Sequence, residues 1–303
     1  GEIKGAVEGG STFSDALRRH PKIFDDLYCN MVNAGEVGGL LDTILARLSK
    51  HIEKAMKLKS QIKSAMVYPA AICGIAAIVI TVLMIWVIPV FEKMFKEMSG
   101  GKMALPGPTQ LVIDMSNFAQ SYWFIILGAI VGGVIVFKKY YATAQGRLTI
   151  DKIVLKLPVF GDLIRKASVA KFTRTLGTLI TSGVPLLEAL SICAKTAGNK
   201  VIENVLMDAR VSISGGKTIS EPLAKSEAFP KMVTHMIAVG ESTGALDNML
   251  GKIADFYEDE VDAAVTNLTA LLEPMMMVFL GVTVGFIVIA MYLPIFTMAS
   301  AIG

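Results

Sequence analysis

The chain has 303 residues, 53% of them hydrophobic, with a mean hydropathy of +0.57 and 29 Lys and Arg against 26 Asp and Glu. That apolar excess is well above the soluble globular average and points to a membrane protein. The net charge of +3 gives no support for a nucleic-acid partner, and none is expected.

Residues 1–66 read as a polar, helical, cytoplasmic region. Leu41, Ile44, Leu45, Leu48, Ile52, Ile62 and Met66 keep a 3.6-residue period. Ahead of them stands the word GEVGGLLD at 35–42, between a helical pattern ending at Ala34 and one opening at Leu40. Gly35 can take a positive φ and end the first helix, and Gly39 completes the spacing. Glu36 is then expected to meet free amides at the start of the next helix, with Asp42 in its first turn. A second use for such an exposed glutamate, contact with a partner or a hard cation, stays open beside this capping reading.

No charge occurs in residues 64–91, long enough for a first membrane span at 67–91. Pro69 at its start is expected to kink a continuous helix, and Pro89 falls near its far end. An external loop is read at 92–114. A second charge-free run gives a span at 115–137, with Tyr122 and Trp123 as an interface belt. Residues 138–272 form a second cytoplasmic helical region, where Leu246, Leu250, Ile253, Tyr257, Val261, Leu268 and Leu272 repeat the helical period. The third span is read at 273–299, with an external tail at 300–303, Pro274 at its junction and Pro294 near its end. Alternating strand patterns are nearly absent, so the expected class is all-α and polytopic. None of the spans sits at the N-terminus like a cleavable signal peptide.

Orientation follows the basic residues. Arg47, Lys50, Lys54, Lys57, Lys59 and Lys63 precede the first span, and Lys138, Lys139, Arg147 and Lys152 follow the second. The 92–114 loop has only Lys93, Lys96 and Lys102, matched by Glu92, Glu97 and Asp114. The third span adds little, because its near flank is acidic: Glu258, Asp259, Glu260, Asp262 and Glu273.

The word at 35–42 returns as GESTGALD at 240–247, supplying Gly240, Glu241, Gly244 and Asp247. The same offset of 205 relates Pro69 to Pro274, Pro89 to Pro294, Phe91 to Phe296 and Phe24 to Phe229. Upstream it becomes 206, relating Thr12 to Thr218 and Ser14 to Ser220. A long self-match with a single slip reads as an internal duplication, parallel in topology. The counterpart of FTRTLGTLITSGVPLLEAL at 172–190 would fall before residue 1, and the first residue is Gly. An opening of the first repeat, on the order of 40 residues or more, is therefore expected upstream.

Signs of catalytic, cofactor or metal chemistry are missing, and none is expected. His20, His51 and His235 stand alone. Cys29, Cys73 and Cys193 have no C-x-x-C spacing and are expected to be plain buried residues. SGGKT at 214–218 ends like a phosphate-binding loop, but position 211 is Val where that loop needs Gly. A transporter would place charged groups or inverted repeats in the membrane, and neither is found.

The twin GExxGxLD words, the IPVF and LPIF span exits, and the stretches LPVFGDLIRKASVAKFTRTLGTLITSGVPLLEAL at 157–190 and IADFYEDEVDAAV at 253–265 resemble the type II secretion F/PilC family. The last two stretches look most like its pilus branch. The resemblance implies cytoplasmic bundles of about six antiparallel helices in an oligomeric platform of the bacterial inner membrane. It implies as partners a hexameric cytoplasmic assembly or retraction ATPase, pilin subunits, other inner-membrane pilus alignment proteins and membrane lipids. The secretion branch, which moves pseudopilins, is the alternative. GEVGG departs from GESTG by replacing Ser242 and Thr243 with Val37 and Gly38, so the two regions need not bind the same partner.

Overall fold

The computed structural model describes residues 1–98, 105–158 and 160–302. Within the expected external loop, residues 99–104 with Lys102 lie outside the described residues, as does Gly303 of the tail. No strand occurs among the described residues. The chain opens with α1 (Glu2–Glu8), α2 (Phe13–Arg18), α3 (Asp26–Gly38) and α4 (Leu41–Val82). A π-helical stretch (Leu83–Val87) leads into α5 (Ile88–Met98), followed by α6 (Gly107–Ser121), α7 (Trp123–Ala142) and α8 (Ala144–Lys156). Then come α9 (Phe160–Thr181), α10 (Leu186–Thr196), α11 (Lys200–Ser214), α12 (Ser220–Ala224), α13 (Lys231–Thr243) and α14 (Leu246–Ile302).

Two compact units result, one of residues 1–62 and 143–265, the other of residues 63–142 and 266–303. In the first, short helices are set by side-chain caps. Thr12 accepts from the Asp15 amide, Asp25 from Tyr28, and Asn199 from Val201 and Ile202. Their apolar faces close one core, in which Leu17, Met31 and Leu48 join Phe172, Leu176, Leu190, Ile202 and Leu250. Phe172 meets Phe229 edge to face at 5.5 Å. Cys29 and Cys193 are buried, but Cys73 is exposed, against expectation. It lies in the second unit, where its Sγ is 3.9 Å from Met276 Sδ.

Among the described residues, three helical stretches are long and apolar enough to cross a membrane: Leu41–Glu97, Trp123–Ala142 and Leu246–Thr297. The middle one differs from the expected span at 115–137. The helix stops at Ser121, Tyr122 leaves helical geometry with φ −115° and ψ 17°, and a new helix starts at Trp123. Residues 92–98 and 107–114, expected as loop, are helical. The apolar run was a poor guide here because α6 is apolar for another reason: Thr109, Val112, Ile113 and Ser116, spaced for one helical face, are buried in the second unit.

That face repairs damage done by proline. A proline inside a helix has no N–H for the carbonyl four residues earlier. Pro294 thus releases the Ala290 carbonyl, and Thr109 Oγ1 donates to it at 2.5 Å. Ahead of Pro89 the helix widens, and the Ile88 amide bonds Leu83 rather than Met84. The Met84 carbonyl, left with neither donor, accepts from Ser116 Oγ and from Gln120 Nε2 at 3.2 Å. Around these bonds Ile88, Val112, Ile113, Ile287 and Met291 form a small core. Pro69 and Pro274 lie inside α4 and α14.

If α6 serves to satisfy these carbonyls, Thr109→Val should destabilise detergent-solubilised protein by on the order of 1 kcal/mol. The loss should shrink in a Pro294→Ala background, where residue 294 supplies its own amide. Denaturant titration of the four-member cycle checks this, and equal losses in both backgrounds would refute it.

Candidate functional site: paired glutamate pins and a charged seam

In both words the structure moves the parts away from the sequence reading. Gly35 and Gly240 do not end their helices. The positive φ falls at Gly39 (66°) and Gly244 (71°), which close α3 and α13. Gly35 and Gly240 are buried where two helices nearly touch. A Cβ on Gly35 would come within 2.9 Å of Ile44 Cγ1, and one on Gly240 within 2.9 Å of the Leu246 Cα. Asp42 and Asp247 do lie in the first turns of α4 and α14.

Glu36 and Glu241 are helical and half-buried, and neither caps the helix that follows it. Glu36 reaches back across the bundle. Its Oε1 accepts from the Phe13 amide at 2.6 Å and its Oε2 from Ser14 at 3.1 Å, at the N-terminus of α2. Glu241 makes the matching pair, with Ile219 at 2.5 Å and Ser220 at 3.1 Å, at the N-terminus of α12. A carboxylate suits that position because the first turn of a helix has amides without intrahelical acceptors. Partial burial pushes the Glu36 pKa up, but the Phe13 and Ser14 amides outweigh it and hold the group below its ordinary value of 4.5. Sequence reasoning found the residues and the type of bond, but not the target. The target was legible only as the one-residue slip in the repeat, since the amides follow the 206 offset and the glutamates the 205.

Around the pins the words differ. Val37 and Leu40 are 83% and 61% exposed, beside an open cavity of about 590 Å³ that Val184 and Pro185 also line. In the second word, Ser242 and Thr243 turn their hydroxyls onto the Val239 carbonyl at 3.0 and 2.8 Å.

A charged seam in the first unit was missed from sequence. The acidic flank of α14, uninformative for orientation, faces cations on α4 and α9. Glu258 accepts from Lys54 Nζ at 3.1 Å and Arg174 Nε at 2.7 Å, and Asp255 pairs with the same two residues. Lys166 bridges Asp162 at 3.0 Å and Glu260 at 2.9 Å, and Gln61 bonds Asp262 at 2.9 Å. The signal available was charge alone: Lys54, Lys57, Lys59 and Lys63 precede the first span, and Asp255, Glu258, Asp259, Glu260 and Asp262 precede the third. Arg47, Lys50, His51, Lys54, Arg174 and Asp247 border a cavity of about 230 Å³ above the seam. No group of three or more His, Cys, Asp or Glu suited to a metal occurs among the described residues.

A sequence model described as type II secretion system protein F matches residues 1–89 and 172–294. Among curated proteins, the chain is 54% identical to the type IV pilus assembly protein PilC of Myxococcus xanthus, over 99% of this chain and 71% of that one. It is 41% identical to the protein of the same description from Pseudomonas aeruginosa, over 100% of this chain and 80% of that one. To the type II secretion system protein F of Xanthomonas campestris it is 34% identical, over 100% of this chain and 74% of that one.

Two outcomes are expected. Glu36→Gln and Glu241→Gln each place an amide group against a backbone donor and should lower stability by about 1–3 kcal/mol, the penalty for a polar group left unpaired. For Glu36 the deficit should be full above pH 4.5, where the wild-type carboxylate is charged both folded and unfolded, and should fade as pH falls through its depressed folded value. Melting of wild type and variant from pH 7 downward checks this; a pH-independent gap would refute it. Separately, Glu258→Gln should cost more than Asp255→Asn, because the Glu258 side chain is 24% exposed and that of Asp255 64%. Thermal melting of the two variants decides.

Proposed function

Because this chain belongs to the type II secretion system protein F family, we propose that it is the inner-membrane platform of a type IV pilus machine. In this role it couples a hexameric cytoplasmic ATPase to the insertion of pilin subunits into the fibre, or to their removal. The observation that carries the choice within the family is identity: 54% to a type IV pilus assembly protein against 34% to a secretion F protein, at near-complete coverage of this chain in both.

The proposed organisation has cytoplasmic regions at 1–66 and 138–272, an external segment beginning at 92, and an external tail. The spans lie at 67–91, 123–142 in place of 115–137, and 273–299. The cytoplasmic regions are read as duplicated copies, a reading supported by their matching carboxylate pins on Phe13 and Ser14 and on Ile219 and Ser220. Homo-oligomers would surround the base of the fibre, beside the inner-membrane alignment proteins and lipids. The platform has no catalytic or cofactor role in this scheme, and the energy comes from the ATPase. α4 and α14, helical through Pro69 and Pro274, carry motion of the cytoplasmic regions toward the membrane.

The eight motif residues divide by task. Glu36 and Glu241 pin the bundles, Gly35 and Gly240 admit close helices, and Gly39, Gly244, Asp42 and Asp247 form the turns. Partner contact is assigned to the exposed residues between them. Val37 and Leu40 give the first copy an apolar contact, and Ser242 and Thr243 give the second a polar one, so different partners fit the two copies.

Deleting the gene should abolish surface pili while pilin stays in the membrane, and should leave secretion of folded exoproteins unchanged. Immunoblots of sheared surface protein, membranes and medium check this. Normal piliation with lost secretion would transfer the protein to the secretion branch.

A further inference from the structure

α8 has two faces of opposite character. The inner face is fixed: Asp151 is buried, and its Oδ2 accepts from the Lys200 amide at 2.6 Å, at the N-terminus of α11. Gly161 of α9 comes so close that a Cβ there would lie 2.4 Å from the Leu155 carbonyl oxygen. The outer face carries Lys152, Ile153 and Lys156, and the stripe is continued by Leu157, the extended residue that ends the helix. Ile153 is 56% exposed and Leu157 44%, and neither lysine forms an ion pair among the described residues.

The chain itself says what lies near this stripe. α7, of membrane-spanning length and apolarity, ends in Lys138, Lys139, Tyr140 and Tyr141, the basic and aromatic pairing that settles at a bilayer boundary. Ala142 is its last residue, and the single residue Thr143, extended at φ −79° and ψ 146°, redirects the backbone into α8. α8 therefore begins within a few residues of the membrane surface, and its 13 residues extend about 20 Å. Lysines flanking aliphatic side chains on one face of such a helix match a layer of anionic headgroups over acyl chains.

We propose that α8 is an interfacial helix whose Lys152, Ile153 and Lys156, with Leu157 at its end, dock on anionic lipid headgroups. The proposal depends on α7 spanning the bilayer. It adds a lipid-binding surface that, Leu157 apart, lies outside the motifs that carry the family resemblance.

The test uses the full-length protein carrying Cys73→Ser, since Cys29 and Cys193 are buried. A single added cysteine, at Leu157, Glu227 or Val134, is labelled with an environment-sensitive fluorophore. Each sample is reconstituted in vesicles of phosphatidylcholine alone or with phosphatidylglycerol, containing lipids with a spin-label quencher. The label at 157 should be quenched several-fold more than that at exposed Glu227 when phosphatidylglycerol is present, and Lys152→Glu with Lys156→Glu should abolish the difference. The label at 134, inside α7, should be quenched in both vesicle types. Quenching at 134 but not at 157 would overturn the proposal alone; no quenching at 134 would overturn the spanning reading as well. Quenching between labelled copies at 157, rising with protein density and indifferent to lipid charge, would assign the stripe to a second copy instead and also overturn it.

Discussion

A backbone amide or carbonyl that loses its partner in a helix has to find another once it is buried, and the contacts that distinguish the two units of this protein answer that requirement. Short helices create orphan amides at their starts, and prolines create orphan carbonyls in long helices. The two kinds of orphan are met by different chemistry. Side-chain acceptors, the carboxylates of Glu36 and Glu241 together with Thr12 and Asn199, take the amides in the first unit, while hydroxyl donors, Thr109 and Ser116, serve the carbonyls in the second. The division follows from the groups themselves, since an ionised carboxylate can only accept and an orphan carbonyl needs a donor such as a hydroxyl.

Charge is used in a correspondingly local way. The first unit has its strongest ion pairs where three helices, α4, α9 and α14, meet through Lys54, Arg174, Asp255 and Glu258. Single exposed pairs contribute little, but a half-buried carboxylate shared by two cations holds its neighbours in one register. This explains why α14 approaches its apolar segment through acidic residues although α4 approaches through basic ones: each neutralises the other. For a protein proposed to work by being pushed, a registered seam beside the apolar core gives the bundle a single docked arrangement.

Glycine illustrates how spacing can be read correctly and assigned wrongly. The glycines shared by the two words, Gly35 with Gly240 and Gly39 with Gly244, invited the reading that the first ends a helix. The left-handed residue is the later one, Gly39 or Gly244, and the earlier is required because α3 nearly touches α4, and α13 nearly touches α14. Both demands favour glycine, one for its backbone freedom and one for its missing side chain, and sequence does not separate them.

What the sequence determined by itself is the helical class, the three long apolar segments, the core stripe through Ile44, Leu48, Leu250 and Ile253, and the importance of the twin words. Each rests on a periodicity or a composition confined to one stretch of chain. The tertiary structure decided what crosses between stretches. It ended one helix at Ser121 and turned a face of hydroxyl and aliphatic groups on α6 toward two proline-containing helices. It sent Glu36 to amides 22 and 23 residues upstream, and it matched the acidic flank of α14 with cations more than 80 residues away. Such partners are chosen by distance in space after packing, and hydrophobic period contains no information about which polar group will face which.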